Sequence, residues 1–130
     1  MASNWLEEGN HAGAFIVSEA TEGATGVSRS RDTMIATGPL SLSAGAVLDA
    51  TTGGATGIVP FENGVSGPAN AVLFDNLELE AGETTTVVII RRDAEVNADE
   101  LVFGATEDAA DIAAGISGLK SAGIIVRETI

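Results

Sequence analysis

Cysteine and tyrosine are absent from this chain, histidine and tryptophan occur once each, and only six of its 130 residues are basic. The lack of thiols excludes disulfides, thiolate metal ligands and a cysteine nucleophile, and leaves the redox compartment undetermined. A single histidine, His11, cannot build a typical zinc site without cysteines. The cations (Arg29, Arg31, Arg91, Arg92, Lys120, Arg127) are scattered along a chain whose formal charge is −13. Nucleic-acid binding needs clustered Lys and Arg to displace counterions, so that class is excluded. The acidity is read as solubility through mutual repulsion. Long apolar runs are also missing. The longest strongly aliphatic one is Val87–Ile90, far short of a membrane span. The N-terminal stretch lacks the basic-then-apolar order of a secretory signal. The chain is therefore expected in the cytosol of the cell that makes it, unless it leaves inside a larger assembly. No G-x-S-x-G elbow, phosphate loop or dinucleotide fingerprint occurs. Ser117 and Lys120 match S-x-x-K, but inside a helical pattern and without companion motifs. No cofactor or metal is expected.

What remains is rich in Ala, Gly, Thr and Val. With four Phe and one Trp, the core must be built from small aliphatic side chains. Burial at ~25 cal/mol per Å² then gives modest stability per residue. An oligomeric partner surface would add to it.

The length suits one domain, divided as an N-terminal arm over 1–13 and a single domain over 14–130. Residues 14–21 form a β-rich run. A second strand is expected over 30–38, and a third through Val47 and Leu48 after a turn at Ser43–Gly45. Residues 51–57 are a Gly/Thr loop. Residues 58–61 carry Pro60, which cannot donate to a ladder and marks a sheet edge. Residues 71–79, a turn at 80–83 and residues 84–92 read as the clearest hairpin. One helix follows. Thr106 is its expected N-cap, with Glu107, Asp108 and Asp111 in the first turn. Ile112, Ile116 and Leu119 share a face. Gly115 and Gly118 weaken the interior but permit close packing. Gly123 takes the left-handed C-terminal position, and 124–129 close the domain as a strand. The fold class is mainly β (α+β): short strands, long Gly-rich connections and one C-terminal helix.

The stretch 93–100 spaces Asp93, Glu95, Asn97 and Asp99 at every second position, like the first ligands of a calcium loop. That loop also needs Gly at its sixth position and Glu at its twelfth, where Ala98 and Gly104 stand. Its upstream flank is a β-run and not a helix. The better reading is an extended segment, with Ala94, Val96 and Ala98 on its apolar face. No carboxylate pair sits in an apolar frame that would raise one pKa. His11 lies in the arm, where a solvated or interface role outweighs catalysis. Trp5 and Leu6 stand on the polar arm as candidate anchors.

The ordered set "LSAGAVLD", a Gly-rich loop, "AVLF", "TTTVVIIRRDAEVNADELVF", an Ala-rich helix and "AGIIVRE" resembles the head decoration protein family of tailed bacteriophages. The similarity runs from about residue 14 onward and is strongest over 87–127. The chain has "RRDAEVN" where such proteins often carry Arg-Gly before Ala-Glu-Val-Asn. It has "LVFGAT" where an aromatic-Pro step is common. The resemblance implies a compact β-clip or β-tulip-like domain that forms homotrimers. It implies seating at threefold and quasi-threefold sites on the outer surface of an expanded capsid. There such proteins bind the major capsid protein and hold the shell against DNA pressure. It implies no catalytic residue, no direct nucleic-acid contact, no membrane, and host cytoplasm as the site of assembly. The capsid-binding role falls on Trp5, Leu6, His11, Phe15, Ile16 and Val17. Arg91, Arg92, Glu95 and Asn97 are candidates for trimer or local contacts. Two rivals make different demands. A virion-displayed adhesion or carbohydrate-binding module needs an aromatic platform. A small acid-dependent hydrolase needs a perturbed carboxylate pair, with Asp93 and Glu95 or Asp99 the local candidates.

Overall fold

The computed structural model describes residues 12–19, 21–22, 27–50 and 57–128. In chain order its elements are β1 (Ile16–Glu19), β2 (Thr21–Glu22), β3 (Val27–Ser28), β4 (Arg31–Thr37), β5 (Leu40–Leu42), β6 (Val47–Asp49), β7 (Val59–Pro60), β8 (Ala71–Leu73), β9 (Leu77–Leu79), β10 (Thr84–Ile90), β11 (Ala94–Asn97), α1 (Ala109–Ser121) and β12 (Ile124–Arg127). The chain is mainly β with one C-terminal helix, as its pattern predicts.

A five-stranded sheet of order β4-β10-β8-β6-β7 forms the middle layer. Successive side chains on a strand point to opposite faces. Val47, Val72 and Ile90 therefore face one side, where Phe15, Phe61, Val96, Leu119 and Ile124 meet them. Leu48, Ala71, Leu73 and Ile89 face the other, against Ala36 and Ile58, with Met34, Leu40, Leu42, Leu77 and Leu79 packed on them. The first core is covered by α1 and the three-stranded sheet β1-β11-β12. The second is covered by the β5–β9 ribbon. Each buried Val, Leu or Ile contributes roughly 1.5–3 kcal/mol.

Pro60 lies in β7, at the sheet edge where its missing N–H costs no ladder bond. The expected hairpin of 71–79 with 84–92 is only half formed. β8 pairs with the end of β10 (Ile89↔Leu73, Ile90↔Val72), but β9 leaves to pair with β5. The reason is Leu77 and Leu79, which reach the second core across Leu42 and Leu40. β10 instead spends its full length against β4.

The helix begins later than expected. Asp108, and not Thr106, is the N-cap. Its carboxylate accepts from the Asp111 N–H at 2.9 Å, and Asp111 accepts from the Asp108 N–H at 3.1 Å. This reciprocal box satisfies two orphan donors, whereas a cap at Thr106 would place Asp108 inside the first turn. At the other end Gly123 has φ +89, and the next residue, Ile124, is buried beside Leu119 in the first core. Gly115 and Leu119 are the buried helix positions; Ile112 and Ile116 are half-buried.

The helix glycines are packing requirements. A Cβ on Gly118 would lie 2.5 Å from the Ala69 carbonyl oxygen, and one on Gly115 would lie 2.6 Å from the Phe103 ring. Ala69 is backbone and cannot swing aside. Gly118→Ala is therefore expected to destabilise the fold in urea denaturation by about 1 kcal/mol or more, although alanine raises helix propensity by about that much. Unchanged or increased stability would show that the helix can retreat from residue 69.

Candidate functional site

The stretch 93–100 resolves into a turn, a strand and a short helix. Asp93 has φ +49, the left-handed region, and is the only non-glycine with positive φ among the described residues. Asp tolerates that region better than most side chains. Ala94 and Val96 then point into the first core while Glu95 and Asn97 face outward. Asn97 caps the turn Ala98–Glu100, accepting from the Asp99 N–H at 3.0 Å. Among the described residues no group of three or more His, Cys, Asp or Glu is placed to hold a metal ion.

The outer face of β1-β11-β12 carries a polar ladder. Glu95 accepts from Ser18 Oγ at 2.7 Å and from Arg127 Nε at 2.9 Å. The Ser18 hydroxyl, then the Arg127 guanidinium, hold the Glu95 carboxyl below its ordinary pKa. Val17 (55 % exposed) and Ile125 (48 %) lie on the same sheet. Val65, at 75 %, stands on the 62–67 loop. That loop is braced by Asn63, whose backbone N–H reaches Glu107 at 3.2 Å and whose amide reaches Asp111 at 2.8 Å. Glu107 is pushed up by desolvation, while the Asn63 amide holds Asp111 down. A split pair of this kind suits acid–base work in a cleft. Here both partners are spent on the helix start and on a surface loop. A concavity of about 540 Å³ between α1 and residues 68–70 is lined by Asn70, Arg91, Ser117 and Ser121 among small apolar residues, with no carboxylate or histidine among the described residues that line it.

The segment leading into β1 is clasped. The Gly13 N–H donates to the Phe74 carbonyl at 3.0 Å, and the Ile16 N–H donates to the Gly13 carbonyl at 3.0 Å. Glu19, at the far end of β1, receives Ser30 Oγ and the Arg31 guanidinium, with Arg31 Nε at 3.0 Å. Arg31 in turn lies over the Phe74 ring, 4.2 Å from its centroid.

The sequence-predicted contact residues distribute as follows. Trp5, Leu6 and His11 lie outside the described residues. Phe15, expected on the docking arm, is instead buried in the first core, and its carbonyl accepts from the Asn97 N–H at 2.8 Å. It offers no surface to a partner, because the β1 strand adds to its own sheet beside β11. Ile16 is half-buried against the same core, and Val17 is exposed. Arg91 and Arg92 follow the end of β10, and Glu95 and Asn97 share the outward face of β11. Arg91 donates to the Asn70 carbonyl at 3.0 Å, and Arg92 forks onto Asp32, lowering that carboxyl's pKa. Sequence reasoning missed Gly13, Glu19, Arg31 and Phe74, which meet only through long-range folding. It could have found Ile125, which alternation in the closing strand turns outward.

The family model for the bacteriophage lambda head decoration protein D matches residues 5–124. The chain belongs to that family. It is a family of structural proteins of the phage capsid, and the match begins earlier than residue 14, taking in Trp5 and Leu6. No curated protein matches the chain.

Two outcomes follow from the 93–100 geometry. Replacing Asp93 with glycine, the residue such proteins often carry at this step, is expected to raise stability by about 0.5–1 kcal/mol in urea denaturation through relief of the left-handed conformation; a loss would show that the Asp93 side chain contributes more than its backbone costs. Glu95 has a folded pKa below its unfolded one. Its stabilising contribution is present above the ordinary glutamate value of about 4.3 and is lost as pH falls through the lower folded value. Glu95→Gln is expected to flatten the decline of melting temperature below about pH 4, and an unchanged profile would remove the ladder from the account.

Proposed function

We propose that this chain is a cement protein of a phage head. It binds as a homotrimer at threefold and quasi-threefold positions on the outer surface of the expanded shell, contacts the major capsid protein, and stabilises the head against DNA pressure without turning over a substrate. The family match over residues 5–124 carries this reading. The physical features support it. A −13 chain is repelled by packaged DNA, which suits the outside of a shell. Several weak contacts spread over neighbouring capsid subunits add through multivalency, so no single strong contact is required. Residues 1–13, with Trp5, Leu6 and His11, act as the docking arm on the domain that begins at residue 14. Val17 and Ile125 supply exposed apolar area on the adjoining sheet. Assembly takes place in the host cytoplasm, where the trimer meets the finished shell.

Purified protein mixed with undecorated expanded capsids is expected to give density at threefold positions by electron cryo-microscopy. Deleting residues 1–11, which leaves the Gly13 bond to Phe74 in place, is expected to abolish that density while the melting temperature of the domain stays within a few degrees. Absence of density for the full chain would overturn the function; full density for the deletion would overturn the arm.

A further inference from the structure

The segment from Gly13 to Glu19 is held at both ends by one pair of side chains. At its start the Gly13 backbone lies on the edge of Phe74, where a Cβ would stand 3.2 Å from Cε1, and φ is +71. Glycine is required there twice over, by conformation and by contact. At its end Glu19 grips Arg31, and Arg31 stacks on the face of the same Phe74 ring. Phe15, between the two, is buried. Glu19, Arg31, Phe74 and Gly13 thus close a loop of contacts around β1. The buried Phe15 and the pairing of β1 with β11 already secure the strand. The Arg31–Phe74 stack is a further contact beside these. It lies on the face of the ring whose edge meets Gly13, and the Phe74 carbonyl takes the Gly13 N–H.

We infer that Arg31 is a positioning residue for capsid docking, acting through Phe74 to aim the N-terminal segment at Gly13. This rests on the proposed role of residues 1–11 as the docking arm. A segment whose root points one way reaches its site at higher effective concentration than one whose root swivels, and it loses less freedom on binding. Arg suits the task better than Lys, since its planar head can donate two in-plane bonds to a carboxylate and stack an aromatic ring on its face. The partner is the capsid surface reached by the arm; Arg31 itself need not touch it.

The test uses the full chain and undecorated expanded capsids. Arg31→Met keeps the apolar stem and removes the cation. Gly13→Ala strains the root directly, through its positive φ and the Phe74 edge, and alters neither Glu19 nor Arg31. Each is expected to weaken capsid binding roughly tenfold, with Arg31→Lys recovering part of the loss. The absence of cysteine allows a single nitroxide at Ala12→Cys. Its spectrum in the free protein is expected to become more mobile in Arg31→Met, a readout that loss of global stability alone does not move. Unchanged affinity and an unchanged spectrum in both variants, while deletion of residues 1–11 still abolishes binding, would overturn the inference and leave the arm standing. Full binding by the deletion would remove the arm and the inference together. If Arg31→Met fails to fold, Gly13→Ala and Arg31→Lys decide the matter by the same two measurements.

Discussion

Adjacent residues on a strand face opposite ways, and in this protein adjacent residues on three central strands are both buried. Ile89 and Ile90, Ala71 and Val72, Val47 and Leu48 each divide between the two cores. The middle sheet must therefore be covered on both faces, and the rest of the architecture answers that need. The helix and the β1-β11-β12 sheet cover one side; the β5–β9 ribbon covers the other. Breaking the longer hairpin, so that β9 can join β5, is a consequence of the same demand. A continuous two-stranded hairpin would have left Leu77 and Leu79 without a core to enter.

Small side chains make this layering possible. With few aromatics, the layers approach closely, and backbone sits directly on backbone where glycine allows it. Gly118 against the Ala69 carbonyl seats the helix on the 68–70 segment, and Gly115 leaves room for Phe61 and Phe103, whose rings meet edge to face at 6.4 Å. The few large residues are spent where they hold something in place. Phe15 pins the first strand, and Phe74 carries both Gly13 and Arg31.

The cations follow a similar economy. Arg31, Arg92 and Arg127 are each paired within the chain, to Glu19, Asp32 and Glu95. These pairs are partly exposed and individually contribute little to stability. Their effect is geometric. Each joins residues distant in sequence and ties one strand, or the residue after it, to another. Among the other described carboxylates Asp49 is buried, taking the Gly67 N–H at 2.8 Å, while Glu62, Asp75, Glu78, Glu80 and Glu83 are exposed to water.

Much of this was legible in the residues. Alternation over 93–98 identified an extended segment with Ala94 and Val96 inside, whereas Ala98, expected on the same face, opens the short helix. The β-rich run over 84–92 marked a strand, which the structure has at Thr84–Ile90. Pro60 marked an edge, and Gly123 the helix end. These features depend on local stereochemistry and period, which the chain carries along its length. The helix start was misplaced by two residues because Thr106 and Asp108 are both good caps, and only the reciprocal bonds with Asp111 distinguish them. The partner of β9, the burial of Phe15 and the clasp of Glu19, Arg31 and Phe74 on Gly13 were decided by tertiary structure alone. Each joins side chains far apart in sequence, and which of many possible partners wins depends on what the two cores leave room for.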